Sequence, residues 1–353
     1  MSRPFRLIDT GLRDGREQIA FDQAMIDLHK AGEIPDTMRF LQFHPTALIG
    51  RHQDLSKELR LDFCQANGIR TVRRITGGGA LYFDEKQLGW ELVFHRATLG
   101  IGDLGTLAAE ICGAAAHGIS KLGVEARHRP PNDIEVGGQK VSGTGGFFDG
   151  STLFYQGTIL ADMDPATMFK VLNLPAPQPG PDGKMPAPRV TTLAALLGAA
   201  PPVEELKQAL VDGFAERLGL SLRPGPITEG EEKLARQYNN EEIGTDSFVA
   251  EIDDPEGKAG VLSATLPTKG GTIAAHVRLE GPSDARIREV LITGDFFVTP
   301  PRVVLDLEAA LRGTDAGDVQ ATIASFFART ETGVMTVRPE DFGEAVAAAV
   351  ALG

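Results

Sequence analysis

Hydrophobic positions change their spacing several times along the chain. Between residues 15 and 30, Ile19, Phe21, Ala24, Met25 and Leu28 recur at helical spacing and Gly32 follows as a stop, which predicts a first helix. MRFLQFH (38–44) has strand composition and runs into Pro45. LSKELRLDFCQANG (55–68) predicts one helix closed by Asn67 and Gly68. Strands are expected over IRTVRR (69–74) and LGWELVFHR (88–96), and an amphipathic helix over 103–123.

A glycine-broken β region then covers NDIEVGGQKVSGTGGFFDGSTLFYQGTIL (132–160). Gly137 and Gly138, set between Ile134-Glu135-Val136 and Gln139-Lys140-Val141, predict a two-residue hairpin, because a type I′ turn needs positive φ at both positions. The proline- and glycine-rich stretch 174–188 reads as an exposed crossing loop, and 203–218 as a helix. Composition shifts near SLRPGPITEGEE. Strand-like runs come next at 260–267, 271–280 and 286–298, then helical runs near 303–311, 319–328 and 339–352. Helices and antiparallel strands come in blocks, so the expected class is α+β, with a domain boundary between 225 and 250 and domains at 1–240 and 241–353.

Composition narrows the function classes. The formal charge of −13 disfavours general attraction to nucleic acid or an anionic membrane, although Arg70, Arg73 and Arg74 form a local basic cluster. No run approaches the roughly eighteen apolar residues of a membrane span, and the N-terminus lacks the apolar core of a signal peptide. A cytoplasmic monomer is the expectation. Cys64 and Cys112 lie far apart in helical segments and read as small buried hydrophobes rather than a disulfide or metal pair. No GxxxxGK[ST], HExxH or GxSxG motif occurs, GTGGFFDG (143–150) lacks dinucleotide spacing, and His44, His52, His95, His117 and His128 are dispersed.

Two segments carry the chemistry. In RRITGGGALYFD (73–84), glycines let backbone N–H groups approach an anion while Arg73 and Arg74 supply fork-shaped donors; the competing reading is a turn with two solvated arginines beside it. The ALYF run suits either an alkyl pocket or core. In GGQKVSGTGG, Lys140 is either a solvated surface charge or a fixed cation facing a carboxylate and an α-phosphate. Asn132, Asp133, Ser142, Gly143 and Thr144 supply acceptors, hydroxyls and backbone donors around it.

RRITGGGALYFD, about fifty residues ahead of PNDIEVGGQKVSG, resembles the signature of the lipoate-protein ligase A family, related in fold to biotin protein ligases. REQIAFDQAMIDL and LIGRHQDL resemble the family's first helix and G-R-x-Q element, and the later runs 262–281 and 287–301 resemble its accessory domain, here fused. The resemblance implies a biotin/lipoate ligase-like catalytic domain with mixed and antiparallel sheets flanked by helices, and a smaller α+β accessory domain. It implies that lipoate and ATP, with Mg²⁺ carried on the nucleotide phosphates and no protein metal ligand assigned, give lipoyl-AMP, and that the lipoyl group passes to a lysine of an H-protein-like or lipoyl-domain acceptor.

By the same resemblance Lys140 contacts the lipoyl carbonyl oxygen and the α-phosphate. Arg73, Arg74, Gly77, Gly78, Gly79, Ala80, Leu81 and Tyr82 hold the lipoyl-adenylate, and Asn132, Asp133, Ser142, Gly143 and Thr144 line the nucleotide side. Phe83 stands where the family usually has His. The alternatives are an octanoyl or lipoyl transferase, which needs an accessible thiol of low pKa, a biotin ligase, which usually carries a different glycine-arginine loop, and a non-catalytic lipoate or acyl-adenylate binder.

Overall fold

The computed structural model describes residues 2–174, 189–282, 285–334 and 336–353. The crossing loop expected at 174–188 lies, apart from Leu174, outside them. Residues divide into two compact units: one of 1–48, 60–72 and 81–245, the other of 49–59, 73–80 and 246–353.

The first unit is built on an eight-stranded mixed sheet. Its strands are β1 (Arg3–Arg13), β2 (Thr37–Phe43), β3 (Leu88–His95), β4 (Ala126–Arg129), β5 (Asp133–Val136), β6 (Gln139–Asp149), β7 (Thr152–Ile159) and β8 (Leu220–Pro224), ordered β8-β1-β2-β3-β7-β6-β5-β4. β1 runs parallel to both β8 and β2; the other pairings are antiparallel. Neither β1 nor its edge partner β8 is marked by periodicity. Only Phe5, Ile8 and Thr10 of β1 are buried, too sparse an alternation to announce an eleven-residue strand.

Helix α1 (Gly15–Lys30) begins at Asp14, whose side chain accepts from Arg16 N, and buries the apolar face expected of it. α2 (Leu104–Ser120) and α3 (Val203–Leu218) cross closely because each has a glycine at the contact: a Cβ on Gly118 would lie 2.4 Å from Ala209 O, and one on Gly213 2.5 Å from Ala114 O. Gly146 and Gly157 similarly leave room for the rings of Tyr155 and Trp90. A further helix, α4 (Glu229–Glu241), packs on α1. Its start is fixed by the reciprocal Thr228–Glu231 capping box, and Arg6 pairs with buried Glu231.

The helix expected over 55–68 is two short ones, Leu55–Glu58 and Leu61–Ala66. Leu59 between them is extended and buried, and the Arg60 N–H bonds Val171 O instead of continuing a helix. The chain passes from one unit to the other at that break.

In the second unit, β9 (Leu262–Thr268), β10 (Gly271–Glu280) and β11 (Arg286–Gly294) form an antiparallel sheet. Ile273, Ala275 and Val277 of β10 and Ile287, Val290 and Ile292 of β11 share an apolar core with α5 (Val303–Leu311), α6 (Val319–Arg329) and α7 (Pro339–Val350). The fold is α+β throughout, with sheets flanked by helices.

Candidate functional site

In the first unit the site residues are set by one hairpin. Gly137 and Gly138 take φ of 57° and 84°, so the tight turn needs glycine at both places. Along β5 and β6, Asp133 faces Gly143 and Ile134 faces Ser142, but Glu135 faces Lys140, leaving Val141 as an extra residue. This bulge reverses the side-chain alternation: Lys140 joins Asp133 and Gly143 on one face, and Ser142 turns to the other. Lys140 Nζ is 2.7 Å from Asp133 Oδ1, with its side chain 34% exposed. A Cβ on Gly143 would fall 2.8 Å from that Nζ, so Gly143 makes room for the lysine itself.

Asp133 also receives Arg129 at 2.6 Å. Burial pushes its carboxyl up, but the charges and hydrogen bonds of Lys140 and Arg129 outweigh that and hold it below the usual carboxylate range. Lys140 is therefore a half-exposed cation steadied by an ionised partner.

Of the remaining candidates of this hairpin, Asn132 and Thr144 tie its strands together. Asn132 and Thr144 bond each other, Asn132 Nδ2 to Thr144 O at 2.6 Å and Thr144 Oγ1 to Asn132 O at 2.8 Å. Thr144 Oγ1 also meets Tyr155 Oη at 2.7 Å and Cys112 Sγ at 3.2 Å. The Ser142 hydroxyl is buried with no hydrogen-bond partner among the described residues. Leu81 and Tyr82 lie on a short strand, Leu81–Phe83, paired with Leu48 and Ala47. Burial, with Asp84 and Glu85 nearby, pushes the Tyr82 phenol up to about 12. Phe83 is buried, 4.7 Å from the Phe43 ring.

Both thiols are buried. Burial raises Cys112 despite its hydrogen bonds, and raises Cys64 likewise, so neither is presented as a thiolate.

In the second unit the arginines are not solvated; Arg73 is 0% and Arg74 5% exposed. The Arg73 guanidinium donates to Gln53 O (2.6 Å), Val249 O (2.8 Å) and Ile252 O (2.9 Å), tying segment 49–59 to the chain near 250. Burial and the repulsion of Arg51 lower it to about 10, which still leaves it charged at neutral pH. Arg74 donates to Gly77 O (3.1 Å) and Gly79 O (3.0 Å), curling the glycine loop around its own side chain.

Two of the loop glycines, and Gly50 beside them, are explained by close packing, whereas a Cβ on Gly79 would meet only Asp295 Cβ, at 3.9 Å. A Cβ on Gly77 would lie 2.2 Å from Phe296 O, one on Gly78 2.5 Å from the Phe297 ring, and one on Gly50 2.0 Å from Gly78 O. Gly78 N donates to Phe296 O at 3.2 Å, with φ of 93°. Phe296 and Phe297 carry no site signal in the sequence beyond two adjacent aromatics, which break strand alternation. Ala80 follows the loop as the last residue of this unit's segment.

The chain is thus a two-unit α+β fold with a lysine fixed on a glycine-cleared hairpin. The sequence matches the model of the lipoyl protein ligase A/B catalytic domain over residues 14–215, and the chain belongs to that family of ligases and transferases. It is 34% identical to octanoyltransferase LipM of Symbiobacterium thermophilum over 70% of this chain and 98% of that protein. With lipoate-protein ligase A subunit 1 of Thermoplasma acidophilum it shares 27% identity over 66% of this chain and 91% of the other. A structure of lipoate-protein ligase A bound with ATP is similar at 25% identity, TM-score 0.61, over 71% of this chain and all of that one. P. falciparum LipL1 in complex with lipoate shares the fold over 99% of both chains, with TM-score 0.73 and 15% identity. No helix among the described residues is long and apolar enough to cross a membrane.

Proposed function

We propose that the protein is an ATP-dependent lipoate-protein ligase. The lipoate carboxylate attacks the α-phosphorus of ATP, the bond to the β-phosphate oxygen breaks, and pyrophosphate leaves. The neutral ε-amine of an acceptor lysine, on an H-protein-like or lipoyl domain, then attacks the acyl carbon of lipoyl-AMP and AMP leaves. The acceptor nitrogen sheds a proton as the amide forms.

The observation that carries this reading is the pairing of a poised cation with the lack of a poised nucleophile. Lys140 is held at 2.7 Å from ionised Asp133 on a face kept clear by Gly143, whereas both cysteines are buried with raised pKa. A mixed anhydride is already activated, so a charge placed against the acyl carbonyl and the α-phosphate suffices. Asp133 is proposed to hold the Lys140 ammonium in place until ligand oxygens compete for it. Arg74 and the Gly77, Gly78, Gly79 and Ala80 backbone are proposed to hold the adenylate, Leu81 and Tyr82 the acyl chain, and Arg73 to support them indirectly. Asn132 and Thr144 shape the hairpin. Mg²⁺ is proposed to be carried on the nucleotide phosphates.

Acyl transfer from a thioester without ATP is the second reading, favoured by the 34% identity to an octanoyltransferase. The Cys64→Ala, Cys112→Ala double variant separates the two. It is expected to lipoylate a purified acceptor domain from lipoate and ATP as the parent does. Transfer from an octanoylated carrier thioester without ATP by the parent, lost in the double variant while it still folds, would support the thioester route.

A further inference from the structure

The second unit supplies more than bulk around the glycine loop. Gly294 N bonds His52 O at 2.9 Å, the Asp295 carboxylate accepts from Thr272 N, and Phe297 N donates to Thr336 Oγ1 at 3.1 Å. Phe296 is fully buried, stacked 5.3 Å from the His52 ring and edge-on to Phe342 at 5.1 Å. The turn 294–297 is thus pinned at every residue. Against it lie two consecutive glycines of the loop, and the Phe297 ring occupies the space where a Gly78 side chain would be.

We infer that Phe297 is a positioning residue for acyl-adenylate formation, acting through Gly78 on the conformation of residues 77–79. This rests on the ligase reading and adds to it a role for the accessory region. Phe296 carries the core of its unit, so its loss is a folding defect. Phe297 is only partly buried and lies outside that core cluster, so its ring can be removed with the unit intact. Without the ring, Gly78 keeps its hydrogen bond to Phe296 O and gains freedom at a residue that already has positive φ. A loop misplaced by about an ångström costs on the order of 100-fold in an enzyme that works by positioning.

The test is lipoate-dependent exchange of labelled pyrophosphate into ATP by the full chain, for the parent, Phe297→Ala and Phe297→Leu. Phe297→Ala is expected to lower kcat/KM for lipoate about 10- to 100-fold, with its melting temperature unchanged and its KM for the acceptor domain in the overall reaction unmoved. Phe297→Leu, which refills most of the space, should recover most of the loss. Parent-like exchange by Phe297→Ala would overturn the inference and leave the ligase reading standing. So would equal losses for alanine and leucine, or a loss that only tracks a lowered melting temperature. An absence of exchange in the parent would instead remove the ligase reading on which the inference rests.

Discussion

Lys140 is the residue proposed to carry the chemistry, and its placement depends on a backbone irregularity. Were β5 and β6 regular, Lys140 would share a face with Ser142; the bulge at Val141 puts it beside Asp133 and Gly143 instead. Lys140→Ala should abolish lipoyl-AMP formation, measured as loss of pyrophosphate exchange, while the circular dichroism and melting temperature stay close to the parent's. The unchanged stability is expected from exposure: a 34% exposed lysine paired with a partly exposed aspartate contributes little. Equal adenylation rates in parent and variant would take Lys140 out of the mechanism. The glycine pair in the sequence places Lys140 just past a tight turn but does not show the bulge, because register is a property of two strands and no local pattern encodes it. For the same reason Ser142, adjacent in sequence to Gly143, reads as a site residue although its side chain sits on the opposite face.

Glycines set the packing at the level of elements. Gly118 and Gly213 let α2 and α3 approach backbone to backbone, so Gly213→Ala should destabilise the first unit by about 1–3 kcal/mol, the usual range for overpacking; an unchanged denaturant midpoint would contradict the close crossing. Glu308 on α5 offers a pH-dependent test of the second unit. Burial pushes its carboxyl up to about 7 even though it accepts from Ile292 N at 2.7 Å and lies near Arg312. A raised folded pKa means that the folded state favours the protonated form. Its contribution is therefore intact below about 4.5 and is lost progressively up to about 7. Glu308→Gln keeps an acceptor but cannot ionise, so its stability relative to the parent should rise across that window and level off above it. Parallel melting curves from acid to neutral pH would show that Glu308 does not titrate in this way. The helices at 15–30, 203–218 and 303–311 are legible in the sequence because each has an apolar stripe of full length. The Leu55–Glu58 and Leu61–Ala66 pair is not, since the same stripe is interrupted by a tertiary bond from Arg60 to Val171.

Across the whole molecule, sequence order and spatial grouping part company. The RRITGGG stretch lies within the matched family region, yet residues 73–80 pack as part of the unit formed by 246–353. Nothing in local composition could reveal this, because the contacts to Phe248, Val249, Ile252, Phe296 and Phe297 are made by residues far along the chain, Arg73 reaching Val249 across 176 positions. The same long-range packing makes Arg73, which could have been solvated, a buried tie, while Arg74 is buried against the glycine loop of its own segment. Gly77 and Gly78, which suggested an anion cradle, are needed first for the turn at 294–297, and the role proposed for them toward an adenylate is additional to that packing. The central claim, activation of lipoate by ATP, is tested most directly by pyrophosphate exchange with the full chain, run beside acyl transfer from an octanoylated carrier thioester without ATP. The account predicts lipoate-dependent exchange and no ATP-independent transfer. Transfer from the thioester with no exchange would contradict it.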